Sequence, residues 1–286
     1  MGDISTNFVK QFSGNVEMLV QQKGSVLRNC VRVESGIVGE DAYFDRIGSS
    51  AAVLRTTRHG DTPLVDVDHS RRKVSMADYE WASLIDKQDK LKMLLDPASE
   101  YVQSAAWALG RAMDDVIITA FGGTAYTGKT GSSSQALTSG QKIAVGATGM
   151  NIAKILEAKY ILDAADVDPM EMRYMAVTAK QIEDLLNTTE IKSSDYNTVK
   201  ALAQGQIDTF CGFKFIMCNR LLTDTSDDRL CYAWAQKGLL LGIGQDIKSN
   251  ITERADKSYA IQPYLSMSLG AVRMQEEKVV QIACDE

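Results

Sequence analysis

The chain has 286 residues, 45% of them apolar and 24% charged, which fits a water-soluble globular protein of one large or two modest domains. Its net charge of −6 argues against a dedicated nucleic-acid-binding surface. No apolar run approaches the roughly 20 residues of a membrane helix, and Met1-Gly2-Asp3-Ile4-Ser5 lacks a signal-peptide pattern, so a soluble chain made in the cytosol is expected.

Residues 1–35 read as an arm with a short amphipathic helix. Phe8, Phe12, Val16 and Leu19 recur at i, i+4, i+8 and i+11 and share one face, which needs a partner surface. A charged ribbon follows over residues 43–86. Its ascending half, 43–57, carries Phe44, Ile47, Val53 and Leu54; its descending half, 71–85, carries Val74, Met76, Tyr79, Trp81 and Leu84. Between them His59-Gly60-Asp61-Thr62-Pro63 is a turn signal, so the reading is a long hairpin with a polar tip. Two strands alone are marginal in water, which points to docking on another subunit.

The longest helix is expected over residues 97–121, with Asp96 as N-cap and Pro97 at the first helical position. Val102, Ala105, Ala106, Leu109, Met113, Val116, Ile117, Ala120 and Phe121 form its apolar stripe, and Gln103, Gly110 and Asp114 mark the opposite side. It would span about 37 Å and stop at Gly122-Gly123.

A Gly/Ser/Thr-rich loop over 122–149 leads to an α/β pattern. Asn151 caps a helix, Asp168-Pro169 breaks it, and 173–177 is a short strand. Thr178 with Gln181 is a capping box, a further helix covers 195–204, and strands flank Cys211-Gly212. Tyr259, Ile261, Pro263, Leu265, Met267 and Leu269 alternate as a strand, and 279–282 is the last.

Candidate chemistry is sparse. Gly123 to Thr130 matches the phosphate-binding pattern GxxxxGK[ST], with Lys129 and Thr130 as its functional residues. A working phosphate cradle needs a strand before the loop and a helix after it, whereas here a helix precedes and a stripe-less segment follows. His59 and His69, the only histidines, both lie in the ribbon, far in sequence from the α/β region, and the chain has no nucleophile elbow GxSxG. Asp114-Asp115 and Asp227-Asp228 read as a helix face and a solvated turn, and Gly242-Ile243-Gly244 lacks the third glycine of a dinucleotide fingerprint. Cys30, Cys211, Cys218, Cys231 and Cys284 show no zinc spacing and are expected reduced. No catalytic residue, cofactor or metal is assigned, and no enzymatic activity is expected.

Three stretches carry a family resemblance. Leu94-Leu95-Asp96-Pro97-Ala98-Ser99-Glu100-Tyr101, continuing to Gly110-Arg111-Ala112-Met113-Asp114-Asp115, resembles the start of a spine helix. Gly205-Gln206-Ile207-Asp208-Thr209-Phe210-Cys211-Gly212-Phe213-Lys214 resembles a G-x-I-x-x-x-x-G-F segment. Ser266-Met267-Ser268-Leu269-Gly270-Ala271-Val272-Arg273, with Val279-Val280-Gln281-Ile282, resembles closing strands. Together, and in this order, they resemble the major capsid proteins of tailed bacteriophages, the Hong Kong phage capsid fold also used by encapsulin shells.

The resemblance implies an α+β fold in five parts. These are an N-terminal arm (1–40), an extended β-hairpin loop (41–90), a peripheral domain with the spine helix (91–145), an axial domain (146–244), and C-terminal strands returning to both domains (245–286). It implies a structural protein that self-assembles, as hexamers and pentamers, into the icosahedral shell of a virion around double-stranded DNA. It also implies a separate scaffolding protein, a portal, no sequence-specific DNA binding, no membrane, and assembly in the host bacterial cytoplasm. The alternatives are an encapsulin-like compartment and a nucleotide hydrolase using Lys129 and Thr130.

Overall fold

The computed structural model describes residues 21–85, 98–187 and 209–286. After a 3-10 turn at Arg28–Cys30, Arg32–Ser35 forms strand β1. Asp41–Ile47 (β2) and His69–Ser75 (β3) make the expected hairpin, with Asp41 opposite Ser75 and Ile47 opposite His69. Residues 48–68 between them form no strand and turn at His59, where φ is +60°. The ribbon is therefore paired only at its base.

Its descending half differs from expectation as well. One strand over 71–85 is replaced by two, broken at Met76, whose N–H donates to the Glu40 carbonyl at 2.8 Å and closes the hairpin. The second strand, Ala77–Ala82 (β4), joins a different sheet. That switch turns Tyr79 and Trp81 onto the core, where burying aromatic area outweighs continuing an exposed ribbon.

Helix α1, Ala98–Gly122, follows the predicted stripe: Leu109, Met113, Ile117 and Phe121 are all buried. At its end the Gly123 N–H returns to the Thr119 carbonyl at 2.9 Å. The proposed cap at Asp96-Pro97, the arm stripe from Phe8 to Leu19 and the helix over 195–204 lie outside the described residues.

The glycine-rich segment after α1 carries three short strands rather than loop alone: Ala125–Thr127 (β5), Ser133–Gln135 (β6) and Lys142–Ile143 (β7). They have no apolar alternation to read, because edge pairing recruits them. Thr127 lies opposite Arg72 on β3, and the resulting sheet runs β2-β3-β5-β6.

Helix α2, Ile152–Ala164, is capped as expected, the Asn151 side chain accepting the Lys154 N–H at 2.9 Å. Arg173–Val177 (β8) is buried at every position. Before α3, Ala179–Asn187, the Thr178 N–H donates to Gln181 Oε1 at 3.2 Å, one arm of the predicted capping box. A turn at Cys211-Gly212, with φ of +52° and +86°, joins Thr209–Phe210 (β9) to Phe213–Met217 (β10).

Arg229–Ala235 (β11), Leu239–Arg254 (β12), Ala260–Arg273 (β13) and Val279–Cys284 (β14) complete the chain. One sheet runs β7-β14-β11-β8-β10-β9 and the other β1-β12-β13-β4. Gly242-Ile243-Gly244 lies inside β12, with Gly242 opposite Gly270 of β13. A side chain on Gly242 would meet Ile37 at 2.6 Å, so close packing accounts for that glycine.

One core joins the six-stranded sheet to the β1-β12-β13-β4 sheet. Helix α1 packs on β13, β12 and β4, so Leu109 and Met113 share a hydrophobic cluster with Leu265 and Met267. At its far end Phe121 stacks on Tyr232 of β11, 4.9 Å between ring centroids, and lies 4.6 Å from Trp234. The Trp234 indole donates to the Cys30 carbonyl at 2.8 Å, tying the segment before β1 to the same core.

Candidate assembly surfaces

The base of the extended loop is held by buried charge. Arg72 on β3 is 1% exposed, and its guanidinium pairs with Glu276 while Nε donates to the Met274 carbonyl at 3.3 Å. Arg273, fully buried, lies 3.6 Å from the same carboxylate. It also donates to the Phe121 carbonyl at 2.7 Å, the Gly123 carbonyl at 2.9 Å and the Gln135 carbonyl at 3.1 Å. Arg46 on β2 approaches Glu276 at 4.0 Å and donates to the Met274 carbonyl. Burial pulls the Arg72 and Arg273 guanidiniums below their ordinary range, with Glu276 acting in the opposite direction. One carboxylate thus joins the loop, the end of α1 and the turn before β14.

Beyond this anchor the loop is wet. Lys73 pairs with Asp41 at 2.7 Å and Arg71 with Asp45 at 2.5 Å, and these contacts hold both carboxyls below the usual range. The Arg71 guanidinium lies 5.8 Å from the centroid of the Tyr43 ring. Farther out, Leu54 and Leu64 are 84% and 95% exposed, with Val53 and Val65 beside them. Large apolar groups in that position are what a clasping surface supplies.

A second surface corrects the sequence reading of α1. The stripe pattern places Gly110 and Asp114 on the solvent side; in the structure the incoming chain covers both. Asp114 is fully buried and accepts hydrogen bonds from Gln22 Nε2 and Ser25 Oγ, each at 2.5 Å, and from the Val26 and Leu27 N–H groups, each at 3.1 Å. The carboxylate therefore holds the backbone just before the 3-10 turn against the helix. Asp115, its neighbour, does face outward, paired with Arg220 at 2.8 Å.

The remaining candidates do not converge. Lys129 and Thr130 are exposed in a turn closed by the Gly131 N–H on the Gly128 carbonyl at 3.1 Å, and the strand beside them, β5, follows the helix rather than preceding it. Thr127 Oγ1 is committed to the Arg71 carbonyl at 2.7 Å. His59 and His69 are exposed on the loop. Asp227 and Asp228 lie in a turn closed on Asp224, as expected of a solvated turn. The cysteines are free thiols, and among the described residues no group of His, Cys, Asp and Glu could hold a metal ion. No helix of the described residues is long and apolar enough to cross a membrane.

Sequence reasoning missed one further group. Lys154 is 6% exposed, and its ammonium donates to the carbonyls of Val145 at 2.8 Å, Thr148 at 2.7 Å and Ala283 at 2.9 Å. It pins the segment after β7 and the last strand to α2. Its place one turn past the Asn151 cap, between Ile152 and Ile155, was the only available signal.

Extended loop, long helix and two sheets around one core define a shell subunit of the Hong Kong phage capsid type. The sequence profile of the phage capsid protein family matches residues 4–286, and the chain belongs to that family. Solved structures agree in fold. The capsid of Ralstonia phage GP4 superposes with a TM-score of 0.75 at 10% identity, covering 97% of this chain and 95% of that one. The capsid of cyanophage P-SCSP1u gives 0.70 at 15% identity (100% and 96% covered), and that of cyanophage Pam1 gives 0.70 at 13% (99% and 99%). No curated protein sequence matches significantly. The protein is a major capsid protein that builds the virion shell, and nothing supports the compartment or hydrolase alternatives.

Proposed function

We propose that this capsid protein closes its shell by laying residues 48–68 over a neighbouring subunit and encloses double-stranded DNA without sequence-specific contacts. In this reading it assembles in the host cytoplasm with a separate scaffolding protein and a portal, and it has no enzymatic activity. The carrying observation is the contrast along the loop: a base locked by buried Arg72 and Glu276, and a far end whose Leu54 and Leu64 are exposed. A net charge of −6 suits a wall that does not trap the polyanion inside it. The division into arm (1–40), loop (41–90), peripheral (91–145), axial (146–244) and closing (245–286) parts belongs to the same proposal.

Replacing residues 57–70 with a short turn tests it. Circular dichroism should report a folded subunit, and negative-stain electron microscopy should find no particles; normal particles would refute the clasp. Lys129→Ala should leave assembly and any ATP binding unchanged, whereas Mg²⁺-dependent binding lost on that change would restore the hydrolase reading.

A further inference from the structure

Strand β11 runs between two differently charged ends. Past its last residue, Ala235, a cleft of about 640 Å³ opens between residues 236–237 and the segment leading into β1. Arg28, Arg32 and Lys237 line it with Asn29, Gln236 and Val33, and among the described residues no carboxylate does. Arg28 pairs with Asp246 and Arg32 with Glu34, neither of which lines the cleft. All four of those side chains are at least 35% exposed, and ion pairs so wet hold little of the cationic charge back. Glu171 Oε1 accepts the Lys237 N–H at 2.6 Å, while the exposed Lys237 ammonium has no ion pair among the described residues.

Before its first residue, Arg229, the chain makes a closed hairpin tip. The Leu230 N–H donates to the Leu222 carbonyl and the Asp224 N–H to the Asp228 carbonyl, each at 2.9 Å. The Asp224 carboxylate is engaged inside the turn, accepting the Ser226 N–H at 2.7 Å and the Asp228 N–H at 3.2 Å. Asp227 stands at the exposed tip with φ of +65°, and Leu222 at its base is 49% exposed. The seven residues of β11 hold tip and cleft about 20 Å apart, at about 3.4 Å per residue. Exposed charges so far apart are screened, the Debye length being about 8 Å at physiological salt. Tip and cleft therefore leave each other's charge unmet within one subunit, and a second copy can bring them together.

We propose that the 222–230 turn of one subunit docks into the cleft of the next, placing Asp227 among Arg28, Arg32 and Lys237 and Leu222 against Val33. The two surfaces match twice over. The tip is anionic where the cleft lining is cationic, and each carries one exposed apolar side chain, Val33 being 38% exposed. A chain of net charge −6 repels its copies at long range. A cleft lined by cations reverses that repulsion at one place and so fixes the orientation of approach. Because tip and cleft are different patches of the same chain, the contact is head-to-tail, the kind that repeats around a ring. It uses no part of residues 48–68 and stands apart from the loop clasp.

The test uses the full chain. Isotopically light and heavy subunits are mixed in equal amounts before assembly, and the particles are treated with a water-soluble carbodiimide, which joins a carboxylate to an amine in contact with it. Mass spectrometry should find Asp227 joined to Lys237, with light-to-heavy products as abundant as the two like-labelled products together. Asp227→Lys and Lys237→Asp, both at exposed positions, should leave circular dichroism unchanged and each cut the number of particles about tenfold or more, because each sets like charges against one another. The chain carrying both changes should recover particles severalfold over either single variant, which a role inside one subunit would not produce. Single variants that assemble as wild type does, a double variant no better than its parents, or no light-to-heavy product between Asp227 and Lys237 would overturn the proposal. So would Lys237→Asp shells formed in normal number but with less packaged DNA, which would name the polyanion as the occupant of the cleft.

Discussion

Gly110 of α1 lies in contact with Gly24 of the incoming chain: a Cβ on Gly110 would stand 2.7 Å from the Gly24 Cα. The helix tolerates a poor helix former here because the arm crosses at backbone distance, and Asp114 one turn on accepts the N–H groups that the crossing presents. Gly110→Ala should gain about 1 kcal/mol of helix propensity and lose about 1–3 kcal/mol to the clash. Asp114→Ala should cost about 1–3 kcal/mol by leaving buried donors unpaired. Asp115→Ala, which removes a surface ion pair, should stay within about 1 kcal/mol. Urea unfolding of the three variants checks the order, and Asp115 ranking above Asp114 would refute it.

Glu276 should be the costliest single charge to remove. Glu276→Gln leaves the Arg72 and Arg273 guanidiniums buried without a counter-charge, a loss of about 3–5 kcal/mol for a broken buried pair. Replacing both partners, Arg72→Met with Glu276→Leu, should recover part of that loss. A double-mutant cycle on denaturation midpoints measures the coupling, and additivity of the two single changes would show that the pair does not interact.

Alkaline pH should destabilise the subunit through Tyr232. Burial pushes its hydroxyl up to about 12, above the ordinary value near 10. Between those values the unfolded chain has lost the phenolic proton and the folded one keeps it, so stability falls as pH rises. The loss, complete above the folded value, amounts to about 3 kcal/mol at 1.36 kcal/mol per unit. Thermal melts across this range should show the slope in wild type, and Tyr232→Phe should flatten it. An equal slope in both proteins would place the effect elsewhere.

The rotation of α1 is tested by a pair of truncations. Leu109, 4% exposed beneath β13, should lose about 2–5 kcal/mol on change to alanine. Exposed Gln103 should lose no more than about 0.5 kcal/mol. In a shell the first defect repeats in every subunit, so Leu109→Ala particles should fail or break down at lower temperature by light scattering. Heat-stable Leu109→Ala particles would sink the assignment.

Local rules made α1, the Asn151 cap, the Thr178-Gln181 box and β13 legible, because each depends on residues within one or two turns or on a strict alternation. The buried charges were illegible for the opposite reason. Arg72 and Glu276 meet across 204 residues, and Gln22 reaches Asp114 across 92. An amphipathic wheel assigns a lone carboxylate to water unless another segment is known to cross it. β5 and β6 were hidden because polar strands held only by edge pairing leave no apolar rhythm. The split between β3 and β4 left only a change of parity, Val74 and Met76 at even positions and Tyr79 and Trp81 at odd ones, which a single strand could not place on one face.

Strand β1 pairs in parallel with β12, Arg32 opposite Leu240, and β14, the last strand, sits inside its sheet between β7 and β11. The first described strand therefore pairs with a strand far downstream in the chain, and β14 pairs back to β7 and β11. Pairings of such long sequence separation form slowly. The sheet beneath α1 therefore closes only when segments far apart in the chain have met.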